Sequence, residues 1–132
     1  MPWPRLTIAA RRALDHAYSP YSKKRVSCAI LTEDGHIFSG CNVENASYGA
    51  TICAERTAIA KAVSEGAKQI RAVVVMNAGS EPWAPCGICR QVILEFAQPE
   101  TPVRMLSIKG RTLDSTVGEL CPYSFSPEQM KR

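Results

Sequence analysis

Apolar residues recur at helical spacing near the start of the chain: Leu6, Ala9, Ala10, Ala13, Leu14 and Ala17, with Arg11, Arg12 and Asp15 between them. The pattern predicts an amphipathic helix over residues 6–18, ended by Ser19-Pro20 because the residue before proline is driven out of the helical region. From Val26 the period shortens. Residues 26–31 read as a strand, Glu33-Asp34-Gly35 as turn chemistry and residues 36–41 as a second strand, so the pair makes a hairpin. A polar, turn-rich stretch over 42–49 leads through Thr51-Ile52 into a second helix, from about Cys53 to Glu65, closed by Gly66. Residues 70–76 are the most apolar β-branched run in the chain and predict a central strand buried on both faces. A loop over 77–84 ends at Pro85, before a third helix from about Cys86 to Ala97 that Pro99 stops. Residues 103–108 form a fourth strand, 111–113 a short fifth strand or its remnant, and 117–125 a helical turn with an aromatic end. This order, α-β-β-α-β-α-β-β, predicts an α/β fold in which helices cover a sheet.

A length of 132 residues with 45% hydrophobic positions allows one domain, spanning 1–132, with a sizeable core. The net charge of +4 changes little, since the lysines and arginines are scattered; a solvated surface is expected, with no nucleic-acid partner. Cysteine usage matters more. Six cysteines, at 28, 41, 53, 86, 89 and 121, could make three disulfides. Yet Met1-Pro2-Trp3-Pro4-Arg5 lacks a secretory pattern and no segment is long and apolar enough to span a bilayer, which predicts a cytoplasmic protein with reduced thiols and no membrane partner. There, Cys86-Gly87-Ile88-Cys89 preceded by Cys53 reads as a metal site. Three thiolates hold a zinc ion and leave its fourth position open. Glu55, two residues from Cys53, is too close along the chain for easy chelation of the same ion but within reach of a metal-activated water, where a carboxylate does general acid–base work. Both ligand stretches fall at predicted helix starts, whose partial positive charge favours thiolates, and Arg56 and Arg90 are placed to add hydrogen bonds to sulfur. A structural zinc completed by Cys28, Cys41 or Cys121 would leave Glu55 incidental, and an iron–sulfur cluster would also need a fourth thiolate. His16 and His36 lie away from the site. Spacing alone does not name the bond that is cleaved.

The stretches Cys53-Ala54-Glu55-Arg56-Thr57-Ala58 and Pro85-Cys86-Gly87-Ile88-Cys89-Arg90-Gln91-Val92 resemble those of the small, homotetrameric, all-cysteine-ligated cytidine deaminases of pyrimidine salvage. The likeness runs from Tyr18-Ser19-Pro20-Tyr21-Ser22-Lys23 through Gly40-Cys41-Asn42-Val43-Glu44-Asn45-Ala46-Ser47-Tyr48-Gly49 to Pro122 and Phe125. It implies a three-layer α-β-α fold around a mixed five-stranded sheet. It also implies one zinc per subunit on Cys53, Cys86 and Cys89, with Glu55 moving the proton as water attacks C4 of cytosine and ammonia leaves. Asn42 and Glu44 would hold the ribose 3′-hydroxyl, and the main chain at Ala54 and Cys86 would read the pyrimidine. Ala46 and Tyr48 would reach a neighbouring subunit's site in a homotetramer, and Phe125 would cover the base in yet another.

The chain departs from the family pattern at Lys24-Arg25-Val26-Ser27-Cys28-Ala29, where an aromatic residue is followed by x-Val-Gly-Ala-Ala. Lys24 cannot stack on a base as that aromatic does. Either its stem turns outward and the pocket is only looser, or the roomier pocket admits a cytosine nucleoside with an N4 or C5 substituent, or a blasticidin-like one. The expected activity is zinc-dependent hydrolysis of cytidine, and of 2′-deoxycytidine, to the uridine and ammonia. A polynucleotide-editing enzyme would need a basic, aromatic-rich strand-binding stretch, and a noncatalytic zinc module would leave Glu55 without a role.

Overall fold

Strand β3, Ile70–Asn77, takes the middle of a five-stranded sheet in the computed structural model, which describes residues 1–131. β1 (Val26–Thr32) lies antiparallel beside it, with β2 (Ile37–Cys41) outside β1; on the other side β4 (Pro102–Ser107) runs parallel to β3 and β5 (Thr112–Thr116) antiparallel to β4. The sheet is therefore mixed, in the order β2-β1-β3-β4-β5.

The continuous apolar character of β1 and β3 follows from burial on both faces. Cys28, Ile30, Val73, Val75, Val103 and Met105 face helices α2 (Ala54–Ser64) and α3 (Gly87–Glu95), whose Ala58, Ile59, Ala62 and Ile93 complete that core. The alternate positions Ala29, Leu31, Ala72, Val74 and Met76 meet Leu6, Ala10 and Leu14 of α1 (Trp3–Leu14). The result is the expected α-β-α sandwich, each side chain assigned to its layer by the two-residue period of the strands.

Several boundaries move for identifiable reasons. α1 begins at Trp3, because Pro4 sits in its first turn, where a missing N–H leaves no bond unmade. It stops at Leu14, not Tyr18: Asp15, His16 and Ala17 close it with bonds to carbonyls three residues back, and the Tyr18 backbone instead bridges Asn42 and Glu44. β5 is a full strand over Thr112–Thr116, longer than the remnant expected at 111–113. The tail holds two short helices, α4 (Val117–Leu120) and α5 (Pro127–Met130), with Phe125 between them.

One close approach fixes how α2 sits. A Cβ on Gly40 of β2 would lie 2.6 Å from the backbone nitrogen of Ala58 and 2.8 Å from Cβ of Thr57. Neither can yield without moving the helix that carries Glu55. Gly40→Ala is expected to cost about 1–3 kcal/mol, as overpacking does, read as a fall of several degrees in the thermal midpoint; an unchanged midpoint would mean the helix shifts freely.

Candidate active site

The site forms at one end of the sheet, where β3 finishes and the antiparallel β1 begins, since Asn77 stands opposite Val26 in the register. The loop leaving β3 leads to the start of α3, and the start of α2 comes to the same place. Cys53 and Cys86 are the N-cap residues of α2 and α3, both extended, with φ and ψ of −70° and 154°, and −67° and 167°. Cys89 is buried in the first turn of α3. The three Sγ atoms lie within 4.8 Å of one another, with Cys53 and Cys86 3.8 Å apart. Zinc–sulfur bonds of about 2.3 Å at tetrahedral angles put sulfurs about 3.8 Å apart, so the cysteine geometry fits that ion. It does not fit a disulfide, which needs about 2.05 Å, and all six cysteines are free. Cys28 is buried in the core and Cys121 packs against it; neither joins the cluster as a fourth ligand.

Positive charge converges on these sulfurs. Arg56 Nη2 donates to Cys53 Sγ at 3.7 Å and to the Thr51 carbonyl at 3.3 Å, while its buried Nε has no partner among the described residues. The neighbouring Cys89 thiol, and after it the Arg56 guanidinium, draws the Cys53 pKa down to about 5. Cys89 moves the other way, through its hydrogen bond to Cys53 and its burial. Arg90, expected beside the sulfurs, is elsewhere: its Nε donates to the Pro85 carbonyl at 2.7 Å and its Nη1 to Leu120 at 2.9 Å, tying α3 to α4. These two loop and helix-end carbonyls hold it there.

Glu55, in the first turn of α2, is only 4% exposed. Burial, and then the charge of Cys53, push its pKa up to about 7. A carboxyl poised there can both take and return a proton. It lines a cavity of about 290 Å³ together with Cys53, Cys86, Ala54, Asn42 and Glu44.

Asn42 and Glu44 both reach that cavity, and both also hold the chain that walls it. Asn42 Oδ1 accepts from the Val26 N–H at 3.0 Å and its Nδ2 donates to the Lys24 carbonyl at 2.7 Å, which leaves one donor and one acceptor site on the amide. Glu44 Oε1 accepts from the N–H groups of Tyr21 and Ser22 at 3.0 and 3.1 Å, and Oε2 accepts from the Ser22 hydroxyl. These bonds, the hydroxyl's first, hold its carboxyl below the usual range. They also clamp a turn in which Lys23 has φ 63°, a left-handed conformation uncommon for a residue with a side chain. Lys24 lines the cavity and stays exposed.

Three expected contacts lie apart from the cysteines. Tyr48 is 77% exposed and lines, with Tyr21, an adjoining cavity of about 430 Å³ that shares Glu44 and Thr51 with the first. Ala46 and Phe125 are exposed and line neither cavity. The structure adds lining residues that the sequence reading missed: Ser22, Val26, Thr51, Val75, Trp83 and Ala84. Trp83 alone left a trace in the sequence, as a large aromatic three residues before Cys86.

The family sequence model described as cytidine and deoxycytidylate deaminase zinc-binding region matches residues 5–105. The chain is 45% identical over 126 residues to a cytidine deaminase of Sporosarcina psychrophila, covering 96% of this chain and 93% of that protein. It is also 45% identical over 121 residues to one of Halalkalibacterium halodurans, with 92% of each covered. The crystal structure of cytidine deaminase from Burkholderia pseudomallei superimposes with a TM-score of 0.90 at 42% identity, over 95% of this chain and all of that one.

Proposed function

Because the chain belongs to the cytidine and deoxycytidylate deaminase family, we propose that it is a zinc-dependent enzyme that hydrolyses cytidine, and 2′-deoxycytidine, to the corresponding uridine and ammonia. One observation supports this above all: Glu55 and two of the three clustered cysteines, Cys53 and Cys86, open into the same cavity as the polar pair Asn42 and Glu44. Zinc on Cys53, Cys86 and Cys89 supplies Lewis-acid activation of water. The rest falls to the chain. Water oxygen adds at C4 of the pyrimidine, the C4–N4 bond breaks and N4 leaves as ammonia. Glu55 takes one proton from the water and delivers it to N3 of the pyrimidine, then takes the second from the C4 hydroxyl and delivers it to N4, so that the C4 carbonyl of uridine and ammonia result. The free donor and acceptor of Asn42 and the carboxylate of Glu44 hold the sugar hydroxyl, while main-chain groups of Ala54 and Cys86 orient the base.

Arg56 keeps the thiolates charged without leaving the site. The enzyme works as one deaminase domain, in the cytoplasm, in pyrimidine salvage. No helix among the described residues is long and apolar enough to cross a membrane. It assembles as a homotetramer in which Ala46, Tyr48 and Phe125 complete neighbouring sites, a reading that suits their exposure in the single chain.

The test is the ultraviolet change of zinc-loaded protein on cytidine, 2′-deoxycytidine and an N4-alkylated cytidine, with ammonia measured in parallel. Equimolar ammonia from the first two is expected. No turnover of either would end this reading, and turnover of the N4-alkylated nucleoside alone would shift it to the modified substrate that Lys24 leaves room for.

A further inference from the structure

Among the described residues Trp83 is the single aromatic side chain lining the cavity that contains Glu55, Cys53 and Cys86; the other apolar positions there are Val26, Ala54, Val75 and Ala84. A pyrimidine is a flat heteroaromatic ring whose two faces need apolar contact as much as its edge needs hydrogen bonds. Small aliphatic side chains give little of that contact, and Lys24 offers a stem and a charge, not a face.

Trp83 is also held in position. The loop that carries it leaves β3 at Asn77, a buried residue whose Nδ2 donates to the Glu81 carbonyl at 2.9 Å and whose Oδ1 accepts from the Gly79 N–H at 2.6 Å. Glu81 in turn pairs with Arg111 at 2.9 Å, beyond the end of β4. The Ala78 N–H donates to the Arg25 carbonyl at 3.1 Å, fastening the loop to the segment that bears Lys24 and Val26. The indole edge comes near Gly79, where a Cβ would lie 3.9 Å from Trp83 Cζ2, an ordinary contact, and 2.9 Å from Asn77 Oδ1. With this support the ring is still 41% exposed. A large indole kept partly in water by a pinned loop, at the edge of a reaction cavity, has an apolar face free for a ligand.

We propose that Trp83 is this chain's own stacking surface for the pyrimidine ring, in addition to the Phe125 that a neighbouring subunit brings, and so contributes to affinity for the nucleoside. This rests on the deaminase reading given above. Stacking of one base on an aromatic side chain, lost on truncation, corresponds to roughly 5- to 150-fold in affinity, and the loss should fall on binding before chemistry.

Zinc-loaded wild type, Trp83→Leu and Trp83→Phe are compared by steady-state kinetics on cytidine and by inhibition with uridine. Trp83→Leu is expected to raise KM and the uridine inhibition constant by about 10-fold or more, with kcat changed by less than about threefold, and Trp83→Phe to restore most of the affinity. A second readout needs no turnover. Trp3 and Trp83 are the two tryptophans, and Trp3 packs under Arg104 on the other face of the sheet. Uridine should therefore quench the emission of the Trp3→Phe protein, which retains only Trp83. A KM for Trp83→Leu within twofold of wild type, or no quenching in Trp3→Phe at saturating uridine, overturns the proposal. If Trp83→Leu fails to fold, the quenching and Trp83→Phe decide. A wild type inactive on cytidine would refute the deaminase reading instead, which keeps the two failures apart.

Discussion

Glu55→Gln is expected to bind one zinc per chain, melt near the wild-type temperature and lose cytidine turnover by about 100- to 10,000-fold, the usual contribution of a positioned acid–base group. The amide keeps the shape of the carboxyl, so packing in the first turn of α2 is preserved, and it removes the one property at issue, the capacity to accept a proton. Glu55 is buried while sharing a cavity wall with Cys53 and Cys86. In the bland alternative it is a helix-start carboxylate favoured by the dipole. That role predicts a modest loss of stability and nearly intact turnover, whereas a proton carrier predicts the reverse. Metal analysis, a melting curve and a rate on each protein separate them. Turnover within tenfold of wild type would remove Glu55 from the mechanism.

The parts of this molecule legible in the sequence are those where local pattern and tertiary environment agree. The run from Ile70 announced a central strand because both faces of the sheet are covered, and Glu33-Asp34-Gly35 announced the β1–β2 turn because Gly35 adopts φ 87° there. β5 was only half legible: Thr112, Leu113 and Asp114 are exposed, and the strand is held from across the sheet, where Arg104 makes a two-pronged bond to Asp114 at 2.8 and 3.1 Å. That Cys53, Cys86 and Cys89 meet, with Glu55 beside them, was legible because each lies at or within one turn of a helix start. Arg56 and Arg90 looked alike in sequence and diverge in the fold. Only Arg90 meets the carbonyl of Leu120, thirty positions away, and no local pattern encodes that. Trp83 is the same case, since what aims it is a loop tied down by Asn77, Arg25 and Arg111.

Removing a metal ligand has the other large expected effect, and Cys86→Ser is the variant that separates the metal from the fold. Cys86 is exposed and is the N-cap of α3, a position where serine is among the preferred residues, so the apoprotein should lose nothing and gain a cap. Serine does not replace thiolate as a ligand at neutral pH. Zinc should fall from one per chain to a small fraction, and turnover with it. An ion that binds only the folded chain, at free concentration 100-fold above its dissociation constant, stabilises by about 2.7 kcal/mol. For a domain of this length that is a shift on the order of 10 °C in the melting midpoint. Chelation should therefore lower the wild-type midpoint by about that much and leave Cys86→Ser almost unmoved, the variant then melting no lower than the chelated wild type. Cys89→Ser should lose zinc in the same way without gaining a cap, because Cys89 lies inside the first turn of α3 and not at its N-cap. A Cys86→Ser protein that retains a full zinc ion against the chelator would show that the third sulfur is not a ligand, and the open hydrolytic site would have to be rebuilt around different atoms.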